Sequence, residues 1–158
     1  MSNILKKFVD ILLYIILAIL IIYALNIVYF KGIKKEKLPR IFNYYIFNVI
    51  TGSMEETIHV NDCIIVKKTK NVKVNDIVTF EKDGAFITHR IIKIDNDKII
   101  TKGDANNAED DFITKDMILG KYVKTSRILG FIVKNKIIII TLLLLLYVTD
   151  VILQKLKK

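Results

Sequence analysis

A serine set between glycine and methionine, two histidines and a lone cysteine are the side chains here with the makings of a nucleophilic site. Ser53 stands in Ile-Thr-Gly-Ser-Met-Glu-Glu-Thr-Ile, residues 50–58, at the expected end of the apolar run Tyr-Tyr-Ile-Phe-Asn-Val-Ile. A serine hydroxyl is a poor nucleophile until a base accepts its proton, so Ser53 is more than turn filler only if the fold brings it a histidine. His59, six residues on, reads as a half-exposed strand or turn residue. His89 lies in Ala-Phe-Ile-Thr-His-Arg-Ile-Ile-Lys-Ile, where strand alternation turns its ring to the same side as Ile87 and Ile91. A polar ring on an apolar face needs a hydrogen-bond partner, and either a reactive serine or a structural neighbour would serve. A histidine base works better with a carboxylate behind it. The loop Thr-Lys-Gly-Asp-Ala-Asn-Asn-Ala-Glu-Asp-Asp-Phe offers Asp104, Asp110 and Asp111, although such loops are usually just solvated. Cys63 alone can form no intramolecular disulfide, and no Cys/His group has metal-site spacing.

These residues fall in a stretch patterned for strands. Between Tyr44 and Val123 the runs YYIFNVI, CIIVKK, DIVTF, AFITHRIIKI, KIITK and KYV are rich in Ile, Val, Phe and Tyr, and short polar turns separate them. The expected fold is mainly β: a small β-sheet domain over residues 44–127 that holds the candidate catalytic residues, flanked by N- and C-terminal transmembrane helices. Residues 11–30 hold no charged side chain, enough for a helix of roughly 30 Å. The segment 1–30 is therefore read as a retained anchor, because it runs on into a basic stretch without the small-residue cleavage site of a signal peptide. Residues 31–43, with the sole proline Pro39, read as a juxtamembrane linker. Residues 128–158 read as a second span and basic tail, with Asp150 at the membrane interface; a helix lying on the membrane is the other reading.

Of 158 residues, 53% are hydrophobic and 26% charged, so the two kinds are segregated along the chain. The net charge of +9 gathers beside the apolar segments, where anionic lipid is a nearer partner than nucleic acid. Two spans put both termini on one side and residues 31–136 on the other. Loop charge does not decide which side, since the positive-inside rule weakens for loops longer than about 60 residues.

In combination, Gly-Ser-Met-Glu after a strand, then Asp-Ile-Val-Thr-Phe, Thr-His-Arg-Ile-Ile and Thr-Lys-Gly-Asp-Ala-Asn with an aspartate six residues beyond the first, resemble type I signal peptidases. The likeness is to their serine-histidine branch, found in archaea, the endoplasmic reticulum and some Gram-positive bacteria. It covers nearly all of residues 46–123 and implies a membrane-bound serine endopeptidase without metal or organic cofactor. It further implies Ser53 as nucleophile, His89 as base in place of the lysine of the common bacterial branch, and Asp110 as the aspartate orienting the histidine, with Asp111 adjacent. Asp104 corresponds to the aspartate of the Gly-Asp-Asn-like block and is counted with Ser53, His89 and Asp110 among the implied catalytic residues. Thr51, with the Ser53 N–H, corresponds to the oxyanion hole, and Met54 and Val49 are candidates for lining the substrate pocket. The implied partners are secretory preproteins and membrane lipid. The implied location is the plasma membrane, multi-pass, with the catalytic domain on the extracytoplasmic face. One departure stands out: Glu56 occupies the place of the family's usual proline, which would stiffen the turn after the nucleophile. A non-enzymatic scaffold or assembly factor is the alternative reading.

Overall fold

Short apolar runs rich in Ile, Val, Phe and Tyr build one six-stranded sheet. Its strands are β1 (Tyr44–Asn48), β2 (Cys63–Lys68), β3 (Ile77–Lys82), β4 (Ala85–Asp95), β5 (Lys98–Lys102) and β6 (Ile118–Ser126). Their spatial order is β1-β2-β6-β3-β4-β5. In this computed structural model the described residues are 3–35 and 38–155; the side chains of residues 3–6, 150, 151, 154 and 155 lie outside the description, and with them the expected interfacial position of Asp150. The pairs β2/β6, β3/β6, β3/β4 and β4/β5 are all antiparallel. Asp83 and Gly84, both at positive φ (52° and 78°), make the tight β3–β4 turn, a conformation glycine adopts without steric cost.

The core lies on one face of the central strands. Val78, Phe80, Ile91, Ile99, Ile113 and Ile118 form a buried cluster, with Val72, Ile87 and Met117 packed on it. Phe80 in β3 and Ile91 in β4 project to this face because side chains two apart on a strand point the same way. His89 belongs to the same face and is buried, with its ring centroid 6.3 Å from that of Phe80.

By its internal contacts the chain divides into residues 1–45 and 46–158. In the first unit, α1 (Asn3–Ile27) continues into a π-helical turn at Val28–Ile33. Together Lys7–Ile33 make a helix long and apolar enough to cross a membrane. In the second unit, β6 leads into α2 (Arg127–Lys134), and α3 (Lys136–Lys155) follows after Asn135. The expectation of a single C-terminal span meets a bend here: α2 and α3 meet at 69°, and over the residues whose side chains are described they reach spanning length only together. Asn135 makes the break, because both its backbone N–H (3.0 Å) and its Nδ2 (2.8 Å) donate to Phe131 O while its own carbonyl accepts from Ile139 N–H at 3.0 Å.

Candidate active site

Ser53 is carried by a turn rather than by a strand end. After β1, Val49 still pairs across to the loop before β2: its N–H donates to Asp62 O, and its carbonyl accepts from Asn61 N–H, each at 2.9 Å. The chain then coils, with Gly52 O accepting from Glu55 N–H (3.1 Å) and Met54 O accepting from Thr57 N–H (2.9 Å) and Ile58 N–H (2.8 Å). Met54 and Ile58 are buried and pin this coil to the sheet, leaving Ser53 half-buried between them and the cavity.

The segment after β5 holds the other side of Ser53. Ala105 N–H donates to Ser53 O at 3.0 Å, and Asp104 N–H points at Met54 Sδ at 3.4 Å. Gly103 lies so close that a Cβ there would be 2.5 Å from Ser53 O and 2.7 Å from Asn106 Nδ2. Only glycine permits that approach. Asp104 fastens the same junction through its carboxylate, which accepts from Arg90 Nε (2.9 Å), Arg90 Nη2 (2.6 Å) and Thr57 Oγ1 (2.6 Å). The Arg90 guanidinium holds the Asp104 carboxyl below the usual carboxylate range; burial opposes this and the Thr57 hydrogen bond adds to it.

His89 comes from β4. Its Nδ1 is 2.6 Å from Asp110 Oδ2, an oxygen that also accepts from Thr101 Oγ1 at 2.7 Å. Asp110 is set by its own backbone, whose N–H donates to Thr101 O at 2.8 Å. With a carboxylate on Nδ1, the proton sits on that nitrogen and Nε2 is left as the basic one. Asp111 turns outward, its side chain 91% exposed and paired with Lys82 at 3.2 Å, so of the two neighbours Asp110 is the histidine's partner.

Ser53, His89, Thr51, Met54 and Val49 all line one cavity of about 690 Å³, whose remaining wall is largely apolar and includes Phe47, Phe86 and Ile87. Among the described residues the Ser53 hydroxyl and N–H and the Thr51 hydroxyl have no hydrogen-bond partner, so all three are available to a ligand. The serine and histidine thus face a common space without a direct bond between them. Such bonds often tighten only when substrate is present. Asp104 does not line this cavity. It borders a separate cleft with Arg90, Thr57, Glu55 and Glu56. His59 also stands apart, with its Nδ1 against the Glu55 carboxylate, whose other oxygen accepts from Val60 N–H at 3.1 Å. These two hydrogen bonds, His59 first, pull the Glu55 carboxyl below its ordinary value.

Asn106 lines the same cavity, half-buried, and its carboxamide has no partner among the described residues. The sequence reading passes over it. The sole signal was its type, an amide side chain just after the Gly-Asp pair.

A small antiparallel sheet that offers one cavity a serine on a coil and a histidine backed by an aspartate defines a candidate serine peptidase. The chain belongs to the Peptidase S24-like family, whose model matches residues 28–123. It is similar to Signal peptidase I W of Bacillus subtilis (strain 168), with 35% identity over 112 residues, 66% of this chain and 58% of that relative. The chain therefore spans a little over half the length of the curated relative it matches. The resemblance to type I signal peptidases drawn from the motifs is borne out by both comparisons.

Proposed function

We propose that this chain is a membrane-bound serine endopeptidase that removes signal peptides from secretory preproteins through an acyl-enzyme. Ser53 Oγ attacks the scissile carbonyl while His89 Nε2 takes its proton and Asp110 steadies the imidazolium. The Ser53 N–H and the Thr51 hydroxyl receive the oxyanion. His89 then protonates the leaving amine, and water, activated by the same imidazole, releases the peptide. Asp104 acts as a positioning residue, holding the coil that carries Ser53 against Arg90. Met54 and Val49 contribute to the wall that accepts the small residues before the cut. The observation that carries the reading is the pairing of buried His89 with half-buried Asp110 at 2.6 Å, His89 lining the cavity that Ser53 also lines.

α1 serves as the anchor in this reading, and α3 as a second crossing. With both termini cytoplasmic, the sheet domain faces outward at the plasma membrane, where exported preproteins arrive. An anchored protease meets such substrates in two dimensions beside the lipid. The chemistry requires no metal or organic cofactor.

The test is cleavage of a preprotein by the detergent-solubilised full chain. Wild type should release the signal peptide, whereas Ser53→Ala and His89→Ala should lose cleavage while keeping the wild-type melting temperature within a few degrees. Retention of cleavage by Ser53→Ala sinks the proposal, and inertness of the wild type toward a panel of preproteins favours the scaffold reading.

A further inference from the structure

The eight residues of α2 are organised as a two-faced element. Ser126 Oγ accepts from Leu129 N–H at 3.3 Å and starts the helix. Its inner face is set by Gly130, which is buried so tightly that a Cβ there would lie 2.4 Å from Asn61 O, 3.1 Å from Cys63 N and 3.2 Å from Asp62 Cα. All three are backbone atoms, so only a glycine lets the helix sit this close to the loop before β2. Its outer face carries Ile128, Phe131 and Ile132, exposed by 75%, 65% and 45%. Their i, i+3, i+4 spacing makes one apolar stripe, with Arg127 at one end, Lys134 and Lys136 at the other, and no acidic residue in the helix.

We propose that α2 lies in the lipid interface and fixes the height of the Ser53 cavity above the bilayer. Two features point to lipid as the occupant. An apolar stripe ended by cations, with no acid among them, matches an anionic headgroup layer and the acyl boundary beneath it. The helix that follows at 69°, α3, exposes Ile137, Ile138, Ile140, Leu142, Leu144 and Leu145 on all sides, as an element surrounded by acyl chains would. At about 12 Å, α2 is too short to cross, so an in-plane helix turning into a crossing one fits the bend. A protein partner on the stripe alone would leave that all-round apolar surface unaccounted for.

The consequence for the site is mechanical. Asn61 and Asp62, on which Gly130 rests, are the residues whose backbone pairs with Val49, and Val49 lines the cavity. The plane of α2 is transmitted to the cavity wall through those two residues. The distance from the lipid surface to Ser53 is thereby set, and with it how far beyond its membrane-embedded segment a substrate is cut.

This inference rests on the membrane reading given above, and the experiment separates the two. Ile128→Cys, Phe131→Cys and Leu144→Cys would each be labelled with an environment-sensitive fluorophore in the full chain; Cys63 is wholly buried and stays unlabelled. The labelled chains are reconstituted in phosphatidylcholine–phosphatidylglycerol vesicles carrying quenchers at shallow or deep acyl positions. Labels at 128 and 131 should shift to the blue and be quenched several-fold more by the shallow quencher, and the label at 144 more by the deep one. Water-like emission at 128 and 131 with lipid quenching at 144 overturns the inference and leaves the membrane reading standing. Deep quenching at 128 and 131 makes α2 part of a continuous span, and a blue shift without lipid quenching makes the stripe a protein interface; either overturns it. Water-like emission at 144 as well defeats both.

Discussion

Replacing Asp110 by asparagine isolates the element of the site on which the chemistry depends most. In the wild type the carboxylate accepts from His89 Nδ1 at 2.6 Å and from Thr101 Oγ1 at 2.7 Å, with the histidine and aspartate side chains only 8% and 23% exposed. Asparagine keeps the shape and loses the charge. In the proposed mechanism, the imidazolium that forms when His89 takes the serine proton no longer faces an anion. At a charge separation of about 4 Å and an effective dielectric constant of about 20, that attraction amounts to about 4 kcal/mol. A decade in rate corresponds to about 1.4 kcal/mol, so kcat should fall by about 10³-fold. If the new amide donates to Nδ1, the proton moves to Nε2 and the base is lost altogether, which deepens the effect. The assay is single-turnover cleavage of a labelled preprotein, run beside a thermal melt and beside Asp111→Asn. Asp111 is exposed and paired only with Lys82 among the described residues, so its variant should stay within about twofold, as surface ion pairs contribute little. An Asp110→Asn enzyme with more than a tenth of wild-type rate would refute the reasoning, as would a large loss confined to Asp111→Asn.

Other perturbations probe how Ser53 is held. Gly103→Ala places a methyl group 2.5 Å from Ser53 O, so the segment must move; cleavage should fall by about 10²-fold, as misplacement by about 1 Å does, with a stability loss of about 1–3 kcal/mol in denaturant melts. The lowered carboxyl of Asp104 makes a pH prediction: its folded value lies below the unfolded one, so the Arg90 pairing stabilises fully above about pH 4 and is lost as the pH falls through the folded value. The melting temperature should therefore be flat between about pH 5 and 8 and drop in acid, and Asp104→Asn should lower the plateau and soften the acid limb; an unchanged acid limb would count against the assignment. Asn106→Ala should raise KM several-fold with kcat little changed, since its unpaired carboxamide lines the cavity and has no part in the His89–Asp110 pairing.

The strands were legible because their signal is local. Each of the six apolar runs became a strand, and the Asp83-Gly84 turn follows from residue types that accept positive φ. The inward face of His89 was legible through alternation, which placed it beside Ile87 and Ile91 on the core face, whereas its role as base was implied by the resemblance. Asp110 against Asp111 was not, because neighbouring loop residues share composition and the decision comes from the loop's docking. Asp110 N–H bonds Thr101 O, and Ile113 bridges to Ile99, which turns one aspartate inward and the other out. The bend at Asn135 was equally hidden. Aliphatic residues stand on both sides of it, and hydropathy does not register a side chain that caps one helix while its carbonyl opens the next. Gly130 carries no local signal either: what requires a glycine there is the close approach of the Asn61 and Cys63 backbone, which lies about seventy residues away in sequence.

The coil around Ser53 shows how Glu56 can stand where the resemblance to type I signal peptidases implies a proline. A proline restricts one φ angle and so lowers the entropy lost on ordering the turn. Here the same order is imposed by contacts from three directions. From within, Met54 O collects two backbone donors; from the end of the coil, the Glu55 carboxylate bonds His59 and Val60 N–H; from across the domain, Asp104 takes Thr57 Oγ1 and Ala105 N–H takes Ser53 O. Proline acts on the unfolded chain, whereas these bonds act on the folded one, and the two routes differ in their dependence on surroundings. A proline-stiffened turn keeps its bias when its neighbours shift, but the hold on Ser53 here is weakened when Asp104 loses Arg90 or Gly103 gains a side chain. Substitutions at 103 and 104, outside the Ser53–His89–Asp110 set, should therefore disturb cleavage more in this chain than in a relative that retains the proline.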